Sequence, residues 1–263
     1  MKMVISGKGG SGKSTVAALL AEFLAEQNRE VLVVDADESN PGLYRMLGFG
    51  NPPLTLMDLL GGKTEVRKKL RERIRKEGRE ELGLFEKHRI SPEDLPGEYV
   101  ARRGNLSLVV VGKILQAREG CACPMGVVAR EFLKRLEFPS GGIILVDTEA
   151  GVEHFGRGLE TAVDGVLAVV DPSLEAVALA ERIRDLATGS GARFAGVVLN
   201  RITPETEGIL EEEIHRRNLP VIGRFYLRPE FTAALLRGEK LPLSGEVREE
   251  LVRILQGLQS GLL

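Results

Sequence analysis

Cysteine is nearly missing from this chain, with two residues in 263, and both stand in one pentapeptide, GCACP, Gly120 to Pro124. A single residue between them leaves little freedom to reach the dihedral of a disulfide, which argues against a structural crosslink. Long apolar runs are missing too: none approaches the roughly 20 residues of a membrane helix. The opening MKMVIS runs into glycines without a signal pattern. A cytoplasmic protein without a membrane span is expected, in a compartment where thiols stay reduced and a cysteine pair binds metal or reacts more often than it crosslinks. An excess of positive charge is also lacking. The formal net charge of −2 gives no global attraction to nucleic acid or to anionic membrane, so no nucleic-acid partner is expected. No internal repeat or low-complexity linker divides the sequence. With 43% hydrophobic residues it can bury a sizeable core, and one domain over 1–263 is expected.

What is present is an alternation of short apolar runs with helical patterns. Lys2 to Ser6, Glu30 to Asp35, Leu106 to Gly112, Gly142 to Asp147, Gly165 to Asp171, Phe194 to Asn200 and Val221 to Phe225 read as strands. Most are nearly continuous in apolar residues, as when helices cover both faces of a parallel sheet. Lys13 to Gln27, Met125 to Leu136, Ser173 to Leu186 and Pro204 to Arg217 carry helical spacing. The expected fold is α/β: a doubly wound, mostly parallel sheet of about seven or eight strands, helices on both faces, and binding loops at the carboxyl ends of the strands. Gly61 to Glu98 breaks the pattern. Rich in Lys, Arg and Glu, it reads as a charged, exposed insertion at about 61–98. Near the C-terminus Val247, Leu251, Ile254, Leu255 and Leu258 share one helix face, expected to dock on the domain, with a membrane-surface helix as the alternative.

GKGGSGKS, Gly7 to Ser14, fits the phosphate-loop pattern and lies between a predicted strand and a predicted helix, the context that gives the match meaning. The backbone N–H groups of Gly9, Gly10, Ser11, Gly12, Lys13, Ser14 and Thr15 would close around phosphate oxygens at the positive end of the helix. Lys13 would neutralise the β- and γ-phosphates and the Ser14 hydroxyl would ligate Mg²⁺, so ATP and Mg²⁺ are the expected ligands. Asp35, Asp37 and Asp147 follow or end buried strands near this loop, although either Asp37 or Asp147 alone could cap a following turn.

A second lysine, Lys8, follows the first glycine. With GKGGSGKST at Gly7 to Thr15, DADESN at Asp35 to Asn40 and DTEAG at Asp147 to Gly151, the chain resembles the deviant Walker A class of P-loop NTPases, which includes MinD, ParA and the nitrogenase iron protein. That resemblance implies a homodimer sandwiching ATP, with Lys8 reaching the nucleotide of the partner subunit. It also implies that Asp37 orients the attacking water, Asp147 holds Mg²⁺ through water, and the Gly151 N–H senses the γ-phosphate. Asn200 would contact the adenine, with FYLRPEF at Phe225 to Phe231, including Pro229, on the other side of the base.

The cysteines then acquire a use. Followed by Pro124 and a helix, Cys121 and Cys123 lie near a helix N-terminus, where thiolates are stabilised. If extended, the pair projects to one side. Two thiolates are half a tetrahedral site, and a two-fold dimer supplies the other half; a pair of partly buried free cysteines is the alternative. GCACP together with EAGVEHFGRG at Glu149 to Gly158 resembles the CooC-type nickel-insertion ATPases that mature carbon monoxide dehydrogenase. This likeness implies Ni²⁺ or Zn²⁺ held by Cys121 and Cys123 of both subunits and a carbon monoxide dehydrogenase or related nickel enzyme as client. His154 is expected to pack or to hydrogen-bond rather than to ligate. Competing readings are a MinD- or ParA-like positioning ATPase and an iron–sulfur carrier, the latter lacking its usual late CxxC pair.

Overall fold

The computed structural model describes residues 1–76, 83–114, 123–156 and 158–262. In chain order its elements are β1 (Lys2–Gly7), α1 (Lys13–Glu26), β2 (Val31–Ala36), α2 (Leu43–Met46), α3 (Leu56–Leu59), α4 (Gly62–Lys76), β3 (Ala101–Arg103), β4 (Leu106–Val110) and α5 (Cys123–Arg135). There follow β5 (Ile143–Thr148), α6 (Glu153–Gly156), β6 (Gly165–Val170), α7 (Leu174–Gly189), β7 (Arg193–Ile202), α8 (Pro204–Arg216), β8 (Val221–Tyr226), α9 (Pro229–Arg237) and α10 (Gly245–Leu262). The strands form one eight-stranded sheet in the order β3-β4-β2-β5-β1-β6-β7-β8, parallel except where β3 runs against β4.

Alternation along the central strands sorts the apolar residues onto the two faces. Val4, Leu32, Val34, Ile144, Val146, Val166 and Ala168 join one core with α5 and α7. Met3, Ile5, Val31, Val33, Leu145, Leu167 and Val169 join a second with α1 and α10. Because each strand is apolar on both faces, the pattern is continuous, as expected for a doubly covered sheet. Strand order reverses beside β1, which lies between β5 and β6. The crevice at the carboxyl ends of these strands is where open α/β sheets bind ligands.

The seven expected strands all form. The eighth, β3, escapes a periodicity reading because it is three residues long and ends in two exposed arginines, charges that blunt a sheet edge. α9 was not anticipated either. The stretch FYLRPEF divides between β8 and α9, with Pro229 as the first helical residue, a position where a missing N–H costs nothing. The expected C-terminal helix is α10, and Val247, Leu251, Ile254 and Leu258 are buried against the sheet.

The 61–98 segment needs correction. Its charged first part does form a helix, α4, but the few apolar residues are not spread over an exposed surface. Val66, Leu84, Phe85, Ile90 and Leu95 are buried in the α5/α7 core. The Ile90 N–H donates to Arg135 O at 2.9 Å, the Glu137 N–H donates to Ile90 O at 2.7 Å, and the Phe85 ring lies 5.9 Å from that of Phe132. Sparse hydrophobes suffice because each docks into an existing core. Phe85→Ala is therefore expected to destabilise the fold by about 3 kcal/mol in urea unfolding, whereas an exposed insertion would lose less than about 0.5 kcal/mol.

Candidate nucleotide site

The phosphate loop after β1 and the loops after β2 and β5 all leave the carboxyl edge of the sheet. The phosphate loop leaves β1 and enters α1 through Gly12, whose φ of 93° lies in the left-handed region. No side chain caps α1, and its first turn carries no acidic residue, so the positive end of the helix is left for an anionic ligand. Gly12 has a second reason to lack a side chain: a Cβ there would lie 2.1 Å from Asn200 Nδ2.

Asn200 is buried at the end of β7 and donates from Nδ2 to Ser11 O at 2.7 Å. Arg201 follows it with φ at 57° and donates to Gly10 O at 2.7 Å. Together they pin two successive carbonyls of the loop, which keeps the peptide N–H groups on the opposite side. For Asn200 the structure thus supplies a bracing role that sequence reasoning did not propose. Pro229, expected beside the base, starts α9, and the flanking Phe225 and Phe231 are both buried in the α1/α10 core.

Asp35 and Asp147 stand side by side, paired in register on β2 and β5. Asp147 Oδ2 accepts the Ser14 hydroxyl at 2.6 Å, while its buried Oδ1 has no hydrogen-bond partner among the described residues. Burial pushes the Asp147 carboxyl up to about 7; Asp35 adds to the push, and the Ser14 hydroxyl and Lys13 oppose it. Burial likewise raises Asp35 to about 6 against the pull of Lys113. An orphaned carboxylate oxygen beside a serine hydroxyl suits a hard cation such as Mg²⁺.

Asp37 is buried and turns back on its own loop, its Oδ1 accepting from the N–H of Ser39 at 2.8 Å and from its hydroxyl at 2.6 Å. Lys13 Nζ donates to Lys8 O at 3.4 Å. The Lys8 ammonium donates to Ser173 Oγ at 3.1 Å, and that hydroxyl donates to Asp171 at 2.7 Å. The Gly151 N–H is taken by Gly7 O at 3.1 Å, so sensing a phosphate there requires this bridge to open. Three contributors were missed in the sequence: Lys113, on Asp35; Asn40, whose amide donates to Ser14 Oγ at 2.9 Å; and Arg201. Lys113 had a readable signal, a charge directly after the buried run LSLVVVG.

The expected metal pair falls at the edge of what is described. α5 begins at Cys123, two residues ahead of the expected start, while Cys121 and the Cys123 side chain lie outside the described residues. His154 is buried with its ring 4.5 Å from that of Phe155. No helix among the described residues is long and apolar enough to cross a membrane.

Two outcomes follow from this geometry. Gly12→Ala is expected to weaken ATP binding at least about fivefold in equilibrium titration, since strain at such a φ costs about 1 kcal/mol or more. In nucleotide-free protein Asp147 keeps its proton up to about 7 when folded, against an ordinary 3.8. The native state therefore binds more protons than the unfolded one in this window, and stability falls as pH rises through it. Urea unfolding at pH values between about 4 and 7 is expected to show that decline, and Asp147→Asn to remove its upper part.

A family model described as the CobQ/CobB/MinD/ParA nucleotide binding domain matches residues 2–241. An uncharacterized ATP-binding protein of Methanocaldococcus jannaschii is 40% identical over 255 residues, 97% of this chain and 99% of that protein. The carbon monoxide dehydrogenase accessory protein CooC of Rhodospirillum rubrum is 30% identical over 202 residues, 77% of this chain and 74% of that one. Among solved structures, the cell division ATPase MinD of Pyrococcus furiosus has a TM-score of 0.66 at 20% identity, covering 98% of each chain, a likeness of fold. The chain is an ATPase, and it belongs to the CobQ/CobB/MinD/ParA family of P-loop nucleotide-binding proteins.

Proposed function

We propose that this ATPase is a metallochaperone that works as a homodimer, holds Ni²⁺ or Zn²⁺ as cargo through Cys121 and Cys123 of both subunits, and assists nickel insertion into carbon monoxide dehydrogenase or a related nickel enzyme. The observation that carries this reading is the coincidence of GCACP with likeness to the CooC accessory protein over about three quarters of each chain, 77% of this one and 74% of that one. The place of Cys123 in the chain supports it. Cys123 opens α5, and the chain leading there departs from the end of β4, the strand paired with β2. Thiolates near a helix N-terminus are stabilised and soft enough for either metal.

In this reading the phosphate loop and Lys13 hold the triphosphate, and Ser14 with Asp147 would hold Mg²⁺, which offsets charge on the transferring phosphoryl group. Asp37 orients the attacking water once its bonds to Ser39 are released. Lys8 leaves Ser173 for the nucleotide of the partner subunit. Asn200 and the Pro229 segment flank the base. The residues of one subunit thus supply positioning and charge, which is most of what phosphoryl transfer asks of a protein.

The MinD/ParA-like positioning reading shares the fold. Its membrane feature, the apolar face of α10, is consumed in the core through Leu258.

Equilibrium dialysis with Ni²⁺ and Zn²⁺, followed by metal analysis, tests the proposal. About one metal per two chains is expected, lost in Cys121→Ser/Cys123→Ser and sensitive to ATP. Dimerisation driven by ATP with no cysteine-dependent metal would overturn the metallochaperone reading in favour of a positioning ATPase.

A further inference from the structure

Lys113 stands at the carboxyl end of β4 with its side chain only 11% exposed. Its ammonium reaches both carboxylate oxygens of Asp35 at 2.8 Å. It also reaches two backbone carbonyls of the loop after β2, Asp37 O and Asn40 O, each at 2.5 Å. Neutralising Asp35 would need the first contact alone. The other two belong to a loop whose residues face the phosphate site: Asn40 donates to Ser14 Oγ at 2.9 Å, and Ser14 donates to Asp147 at 2.6 Å. Asp37 N–H closes the loop onto Asp35 Oδ1 at 3.2 Å. The backbone adds two ties between the same segments, Val111 N–H to Asp35 O at 2.9 Å and Ile114 N–H to Glu38 O at 3.0 Å.

We propose that Lys113 is a positioning residue for ATP hydrolysis: one ammonium fixes the Asp35–Asn40 loop at three points and so sets where Asp37 and Asn40 stand relative to Ser14. A lysine suits the task because its compact ammonium carries three donors in tetrahedral directions, one for the carboxylate and one for each carbonyl. It touches neither the phosphate loop nor a reacting atom. Its loss therefore changes the geometry of the hydrolytic step and leaves the nucleotide cradle, built from β1, α1 and β7, in place. Displacement of about 1 Å in such a loop costs up to about 100-fold in rate.

The experiment compares Lys113→Met with Lys113→Met/Asp35→Asn, measuring kcat at saturating ATP and ATP affinity by equilibrium binding. The single variant leaves the Asp35 carboxyl buried without its cation and is expected to melt lower. The double variant removes that orphaned charge, and the Asn oxygen still accepts the Asp37 N–H. In the double variant Tm is expected to recover, ATP affinity to stay within about threefold of wild type, and kcat to remain about 10- to 100-fold low. Wild-type kcat in the double variant would overturn the proposal, leaving Lys113 as the counter-ion of Asp35. Loss of ATP affinity in step with kcat would overturn it equally, by making Lys113 a support of the nucleotide cradle.

Discussion

Two carboxylates, Asp35 and Asp147, are paired in register on adjacent central strands and lie almost wholly out of water. Desolvation and like charge both disfavour their ionised forms, and everything around them answers that problem. Lys113 covers Asp35, Lys13 and the Ser14 hydroxyl face Asp147, and one Asp147 oxygen has no hydrogen-bond partner among the described residues. A site of this kind attracts cations and stays electrostatically unsettled without them.

The neighbouring strands divide the remaining work. β1 supplies the phosphate loop and α1 its uncapped N-terminus. β7 supports that loop from the far side through Asn200 and Arg201, and the left-handed backbone of Arg201 is the sort of local strain that persists only where surrounding contacts fix it. β4 holds the loop after β2. Three loops are therefore anchored to one sheet, and each also carries a contact that holds it in this structure. Those contacts are Lys8 on Ser173, Asp37 on Ser39, and Gly151 on Gly7.

Legibility in the sequence followed residue chemistry. The seven longer strands were readable because strands covered on both faces are continuously apolar, and the phosphate loop because its glycines have few other uses between a strand and a helix. β3 was not readable, being too short for a period. The insertion was misjudged because five apolar residues dispersed among charges give no periodic signal, yet each finds a place in the α5/α7 core. Asn200 was noticed for its place at a strand end and assigned to the base. That its amide holds Ser11 O depends on β7 passing behind the loop, which requires the strand order.

By itself, the sequence determined the alternation of strands and helices, the phosphate loop with Lys8, Lys13 and Ser14, the acidic strand ends, and the isolation of both cysteines in one short motif. These are properties of residue type and spacing within about 15 positions, where local geometry dictates the outcome. Only the tertiary structure decided which groups meet across more than 70 positions of chain: Ser14 with Asp147, Lys113 with the loop after β2, Asn200 with Ser11. Those meetings arise from the order of strands in the sheet and from burial, which sets the protonation of Asp35 and Asp147, and neither is encoded in any single stretch of sequence.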